Sequence, residues 1–134
     1  MTIKSSDVDF NNHIQWYKSG FWKPRIDIVL KQIGNWEGKK VLDLGCGIGT
    51  FEIETARKGS KVTAVDAFDE SIKICREMIK KYEVVSRVRV IRANILDLPL
   101  QADTFDIIII ADVIEHVANP SKLLDEVRRV GKEG

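Results

Sequence analysis

The sequence is poor in the features that mark specialised classes. It has two cysteines, Cys46 and Cys75, in 134 residues. That is too few, and too unevenly placed, for a disulfide framework or a zinc site. They are expected as small apolar core residues in a reducing compartment. Excess charge is missing as well: Lys+Arg is 21 against Asp+Glu at 20, a formal net charge of +1. A nucleic-acid partner, which calls for clustered surplus base, is therefore not expected. The densest basic run, Arg87-Val-Arg89-Val-Ile-Arg92, alternates as a strand does and reads as a solvated sheet edge. No stretch approaches the ~20 apolar residues of a membrane span, and no N-terminal stretch resembles a secretory signal. A cytoplasmic chain without a membrane partner is the expectation. Repeats at solenoid period and low-complexity segments are absent too. What remains is an ordinary globular balance, 44% hydrophobic and 31% charged, fitting one domain with a modest core.

The elements alternate. A polar stretch with interleaved aromatics, 7–20, predicts a short helix. Pro24 suits a first helical turn, where its missing N–H would have no partner anyway. Ile26, Val29, Leu30 and Ile33 then follow at the spacing of one apolar face, and Gly34 ends that helix. This helical segment, 1–38, precedes a domain at 39–134. Lys40 to Leu44 predicts a strand that runs into Gly45-Cys-Gly-Ile-Gly49, with a helix from Thr50 to Lys58. A second strand, Lys61 to Val65, ends at Asp66. A helix from about Asp69 to Tyr82 would bury Ile72, Cys75, Ile79 and Tyr82, with Met78 beside them. Val88 to Ile91 is a third strand. Phe105 to Ala111 is a fourth, and its unbroken isoleucine run marks a strand covered on both faces. Pro120 opens a last helix carrying Leu123, Leu124, Val127 and Val130. This order implies parallel βαβ units in a Rossmann-like three-layer α/β sandwich with a mostly parallel sheet.

The glycine turn is the informative stretch. Dinucleotide enzymes use G-x-G-x-x-G and rest a pyrophosphate on the helix N-terminus. Here the spacing is Gly45-x-Gly47-x-Gly49, Thr50 stands where a third dinucleotide glycine would be, and Asp43 precedes the turn by two residues. A carboxylate is awkward beside a pyrophosphate and welcome beside a cation. S-adenosylmethionine carries a sulfonium and an α-ammonium and no phosphate, so Asp43 and the turn carbonyls would suit it. Asp66, at the end of the second strand, stands where a ribose would present its hydroxyls.

These residues resemble the class I S-adenosylmethionine-dependent methyltransferases. Val41-Leu-Asp-Leu-Gly-Cys-Gly-Ile-Gly-Thr50 is similar to their first signature, as found in the ubiquinone and menaquinone biosynthesis group. Val65-Asp66, Arg92-Ala-Asn-Ile-Leu-Asp-Leu-Pro99, Phe105 to Ala111 and Val113-Ile-Glu-His-Val-Ala-Asn-Pro120 resemble further motifs in the same order. The resemblance implies S-adenosylmethionine as cofactor, a small-molecule methyl acceptor, and a cofactor site formed by Asp43, Gly45, Cys46, Gly47, Gly49, Asp66, Ala67, Asn94, Ile95 and Ala111. Asn94 would meet the adenine amino group and the Ile95 N–H a ring nitrogen. The family more often has Asp at the Asn94 position, and Ala67-Phe68 replaces its usual aliphatic-Ser pair. Tyr17 or Trp16 would either close over the methionine end, as the N-terminal helix does in relatives, or pack in the core.

Glu115 and His116 sit where the family places groups that help deprotonate the acceptor, and an unperturbed imidazole pKa of about 6.5 suits that task. The structural alternative is that His116 caps or packs the short helix before Pro120, with Asp112 as an N-cap. No N/D-P-P-Y motif and no Pro-Cys pair is present, which argues against methylation of exocyclic amines and against covalent attack on cytosine. The family's sheet has seven strands and four are found here; Val127 to Gly134 resembles the turn into the fifth, with Gly131 and Glu133 departing from its usual residues. The expectation is a sheet truncated after the fourth strand and its helix, leaving an apolar edge that dimerisation could cover. A catalytically silent cofactor-binding or partner subunit is the alternative function. An NAD-binding oxidoreductase is the other, disfavoured by the glycine spacing.

Overall fold

A computed structural model describes residues 10–46, 49–110, 113 and 117–133. Two helices open the chain, α1 (Phe10–Ser19) and α2 (Lys23–Ile33). Then follow β1 (Lys40–Leu44), α3 (Thr50–Arg57), β2 (Lys61–Asp66), α4 (Asp69–Lys81), β3 (Val88–Arg92), β4 (Ile107–Ile110) and α5 (Pro120–Val130). The four strands form one sheet in the order β3-β2-β1-β4, and every pairing is parallel. β3 is thus an edge, as its alternating arginines foretold: Arg89 and Arg92 are exposed.

Side chains alternate across the sheet and divide the core in two. Val41, Val62, Ala64, Val88 and Ile109 face one side, where Ile26 and Leu30 of α2, Ile53 and Ala56 of α3, and Ile72, Cys75, Met78 and Ile79 of α4 pack on them. Leu42, Leu44 and Val65 face the other side, against Leu123 and Val130 of α5. The result is the expected three layers. No helix among the described residues is long and apolar enough to cross a membrane.

Several expectations shift in detail. The β4 ladder starts at Ile107, because Phe105 is drawn into a parallel bridge with Gly131 and the Asp106 carboxylate accepts the Lys40 N–H at 2.8 Å. Beyond α5 the chain turns back along β4, and the Lys132 N–H donates to the Phe105 carbonyl at 2.9 Å. The start of that edge is therefore covered by the chain itself. The apolar stripes are narrower than the spacing suggested: Ile33 is 38% and Leu124 39% exposed. The C-terminal turn of α2 holds instead on Trp36, a core residue with no periodic signal, whose indole N–H donates to the Leu30 carbonyl at 3.0 Å.

Candidate functional site

The site forms where β1 and β2 end. Asp43 pairs in register with Ala64, two residues short of Asp66, so both carboxylates lie on the face turned to α3 and α4. Each is buried. The chain then leaves the sheet sharply: the Gly45 and Cys46 N–H groups both donate to the Val65 carbonyl, at 2.7 and 3.1 Å. Gly45 has φ +75°, and a Cβ there would lie 2.3 Å from Val113 Cγ2. Gly49, φ +91°, caps α3, and its added Cβ would meet Cys75 Sγ at 3.2 Å. Only glycine leaves backbone bare at these points, which is what a ligand approaching the turn needs. The cradle and its two carboxylates fit a cationic ligand bearing hydroxyls.

Asp66 Oδ1 accepts the Phe68 N–H at 3.0 Å, turning the chain so that Ala67 is exposed and Phe68 is 69% exposed beside it. Asn94 is exposed, and its Oδ1 accepts the Leu96 N–H at 2.9 Å. That leaves a second lone pair on the oxygen for an amino group. The Ala93 N–H donates to the Asp66 carbonyl at 3.0 Å, tying this segment to the end of β2. Asp43, Gly45, Cys46, Gly49, Asp66, Ala67, Asn94 and Ile95 thus gather at the carboxyl ends of the strands, the usual ligand side of an open α/β sheet. A groove of about 850 Å³ runs past Lys40, Lys61 and Thr104 at the opposite ends of the strands. Gly47, Ala111, Asp112, Glu115 and His116 lie outside the described residues.

Tyr17 is buried. Its ring stacks on Trp22 at 5.0 Å and tilts against Tyr82 at 4.5 Å, and its hydroxyl donates to Glu54. Burial, then the Glu54 carboxylate, pushes its phenol far up. These are the contacts of a packing residue beside the second turn of α3. Trp16 is 42% exposed.

One group went unnoticed in the sequence, and the two cysteines meet beside it. Glu52, in the first turn of α3, is fully buried, and no other described residue brings a donor to either of its oxygens. The Asp43 carboxyl is the acidic group that acts on it most strongly. A carboxylate in a first helical turn gains ~0.3–1 kcal/mol from the helix dipole, against several kcal/mol for desolvating an ion. Burial wins, and with the Asp43 charge it holds Glu52 well above the carboxylate range. Burial raises Asp43 as well, Glu52 opposing and the Asp66 charge adding to the rise. Cys46 and Cys75 are both buried and outside any disulfide. Their sulfurs and a Glu52 oxygen lie within 4.8 Å of one another, and the Cys75 contact followed by burial keeps the Cys46 thiol protonated.

A family model for a methyltransferase domain matches residues 42–134. The chain belongs to the class I S-adenosylmethionine-dependent methyltransferases. It is 38% identical over 87 residues to a mitochondrial ubiquinone biosynthesis O-methyltransferase of Arabidopsis thaliana, covering 65% of this chain and 27% of that one. It is 30% identical over 133 residues to the ubiquinone biosynthesis O-methyltransferase of Xylella fastidiosa, covering 88% of this chain and 52% of that one. This methyltransferase chain therefore spans about half the length, or less, of the curated relatives it matches. Among solved structures, a SAM dependent methyltransferase from Aquifex aeolicus superposes with a TM-score of 0.78 at 27% identity, over 93% of this chain and 68% of that one. The cofactor of this methyltransferase is accordingly S-adenosylmethionine, and the cradle at Gly45 and Gly49 with the buried Asp43 and Asp66 is suited to it.

Proposed function

We propose that this chain carries the cofactor-binding part of an enzyme that transfers a methyl group from S-adenosylmethionine to an O, N or C nucleophile of a small molecule. The observation that carries the reading is the pair of buried carboxylates, Asp43 and Asp66, at adjacent strand ends beside a bare glycine turn. Asp66 accepts from the ribose hydroxyls, Asp43 receives the methionine ammonium, directly or through water, and Asn94 with the Ile95 N–H reads the adenine. Ala67 and Phe68 offer the apolar surface beside it. Two buried carboxyls under the turn would repel a pyrophosphate, which counts against a nicotinamide dinucleotide.

The cofactor supplies an electrophilic methyl group when bound. The chain's own residues need only bind it, align the acceptor in line and exclude water. Glu115 or His116 is the proposed acceptor of the nucleophile's proton. Curated relatives named for O-methylation favour an oxygen nucleophile. A cytoplasmic location and pairing of two copies along β4 complete the proposal. A silent cofactor-binding or partner subunit is the second reading.

Calorimetric titration with S-adenosylmethionine and S-adenosylhomocysteine tests the site. Micromolar binding, weakened ~10-fold or about 1.4 kcal/mol by Asp66→Ala, is expected. A folded sample that gives no heat with either ligand would refute it. Methyl transfer to phenols, quinols or amines separates an enzyme from a silent subunit.

A further inference from the structure

Glu52 has no place in the cofactor contacts just described, yet it is a buried acid without a donor among the described residues. It is fully buried in the first turn of α3. Its oxygens meet no donor from the other described residues, and the titratable groups described beside it are acids or thiols. Asp43 comes from β1, Cys46 from the glycine turn and Cys75 from α4. Not one of these can neutralise a carboxylate. Two carboxyl groups can share a hydrogen bond only if one of them keeps its proton.

We propose that Glu52 is a positioning residue: as a neutral acid it donates a hydrogen bond to Asp43 and aims that carboxylate at the cofactor's ammonium group. The assignment of roles follows from placement. Asp43 lies in β1 two residues before the turn, where a cation bound at the turn would restore its charge balance. Glu52 lies behind it, walled in by Cys46 and Cys75, where an ion would have neither water nor counter-charge. The inference rests on the proposed role of Asp43 in cofactor binding. Its protonation half does not depend on any ligand.

Two variants separate the parts. Glu52→Gln keeps a donor for Asp43 and cannot ionise; Glu52→Leu keeps the volume and removes the donor. Urea unfolding is measured from pH 4.5 to 7.5. The folded wild-type holds one proton that the unfolded chain releases above the ordinary glutamate value of 4.5. Its folding constant should therefore fall about tenfold per pH unit relative to Glu52→Gln. Parallel curves would overturn the proposal. In calorimetry with S-adenosylhomocysteine, Glu52→Gln should bind within ~3-fold of wild-type and Glu52→Leu at least ~10-fold more weakly. Full affinity in Glu52→Leu, with Asp43→Asn impaired, would overturn the positioning role and leave the cofactor site intact. Full affinity in Asp43→Asn would instead remove the cofactor reading of Asp43, and with it the aim assigned to Glu52. One equivalent of zinc taken up by the wild-type chain, and lost in both Cys75→Ser and Glu52→Gln, would overturn the neutral acid in favour of a metal ligand.

Discussion

Gly45→Ala isolates the conformational demand of the turn. Two costs are expected. Holding an L-residue at φ +75° costs about 1–2 kcal/mol. The new Cβ would also sit 2.3 Å from Val113 Cγ2, against an ordinary carbon contact of about 3.5–4 Å. Something must therefore retreat by more than an ångström, an overpacking cost of about 1–3 kcal/mol. Together these give a loss of about 2–5 kcal/mol, read from urea unfolding followed by circular dichroism. Val113→Ala deletes the colliding methyl and leaves Cβ at 3.6 Å, an ordinary contact. The double variant should thus recover the steric share, about 1–3 kcal/mol, and retain the backbone share, a coupling that a double-mutant cycle measures directly. A single variant within about 0.5 kcal/mol of wild-type, which is the scale of neutral surface changes, would refute the argument. So would strict additivity of the two substitutions.

Trp36→Ala should cost about 3–5 kcal/mol for the lost buried ring. Trp36→Phe should cost about 1 kcal/mol for the bond to Leu30, since the Gly34 N–H still reaches that carbonyl at 3.1 Å; equal losses in thermal or urea melts would contradict this. Glu126 is held at about 2, below its usual 4.5, chiefly by hydrogen bonding to Arg129. Its stabilisation is complete above pH 4.5 and is lost as pH falls toward 2, a change of about 1 kcal/mol once solvent screening is allowed for. Glu126→Gln should flatten the acid limb of the stability curve, and unchanged steepness in urea midpoints between pH 6 and 2.5 would count against the pairing.

Most of the sheet was legible because parallel strands covered on both faces are written as apolar runs ending in turn residues, as in Lys40–Leu44; β4, at the end of the sheet, keeps the apolar run with only Ile109 buried. Helix faces were less so. Ile33 and Leu124 satisfy the 3.6-residue period and still end up exposed, because the period gives a direction and the neighbouring layer decides how wide a stripe is covered. Trp36 lies in a connection, where no period exists to reveal burial. In the site, Asp43, Gly45 and Asp66 stood out because carboxylates and glycines at strand ends are anomalous for a core. Glu52 did not stand out, since an acid in a first helical turn is the commonest of sights. Its burial arises from Asp43 turning toward α3, a fact of sheet facing that spacing alone does not carry. Tyr17 was open between two roles, and its contacts with Trp22, Tyr82 and Glu54 are those of packing.

The connection from β3 to β4 has no helix of its own, and a pair on α5 holds its middle. Arg129 donates to the carbonyls of Leu98 and Leu100 at 2.9 and 2.7 Å, while Glu126 accepts the Leu98 N–H at 2.7 Å. The stretch proposed to read adenine, Asn94 to Leu96, is thereby hung between the end of β2 and a helix on the far layer. Its order is borrowed. Amide exchange at Leu98 then reports the lifting of α5 rather than any local loop motion, and a ligand that quiets Asn94 would be felt first as slower opening of a helix it never touches.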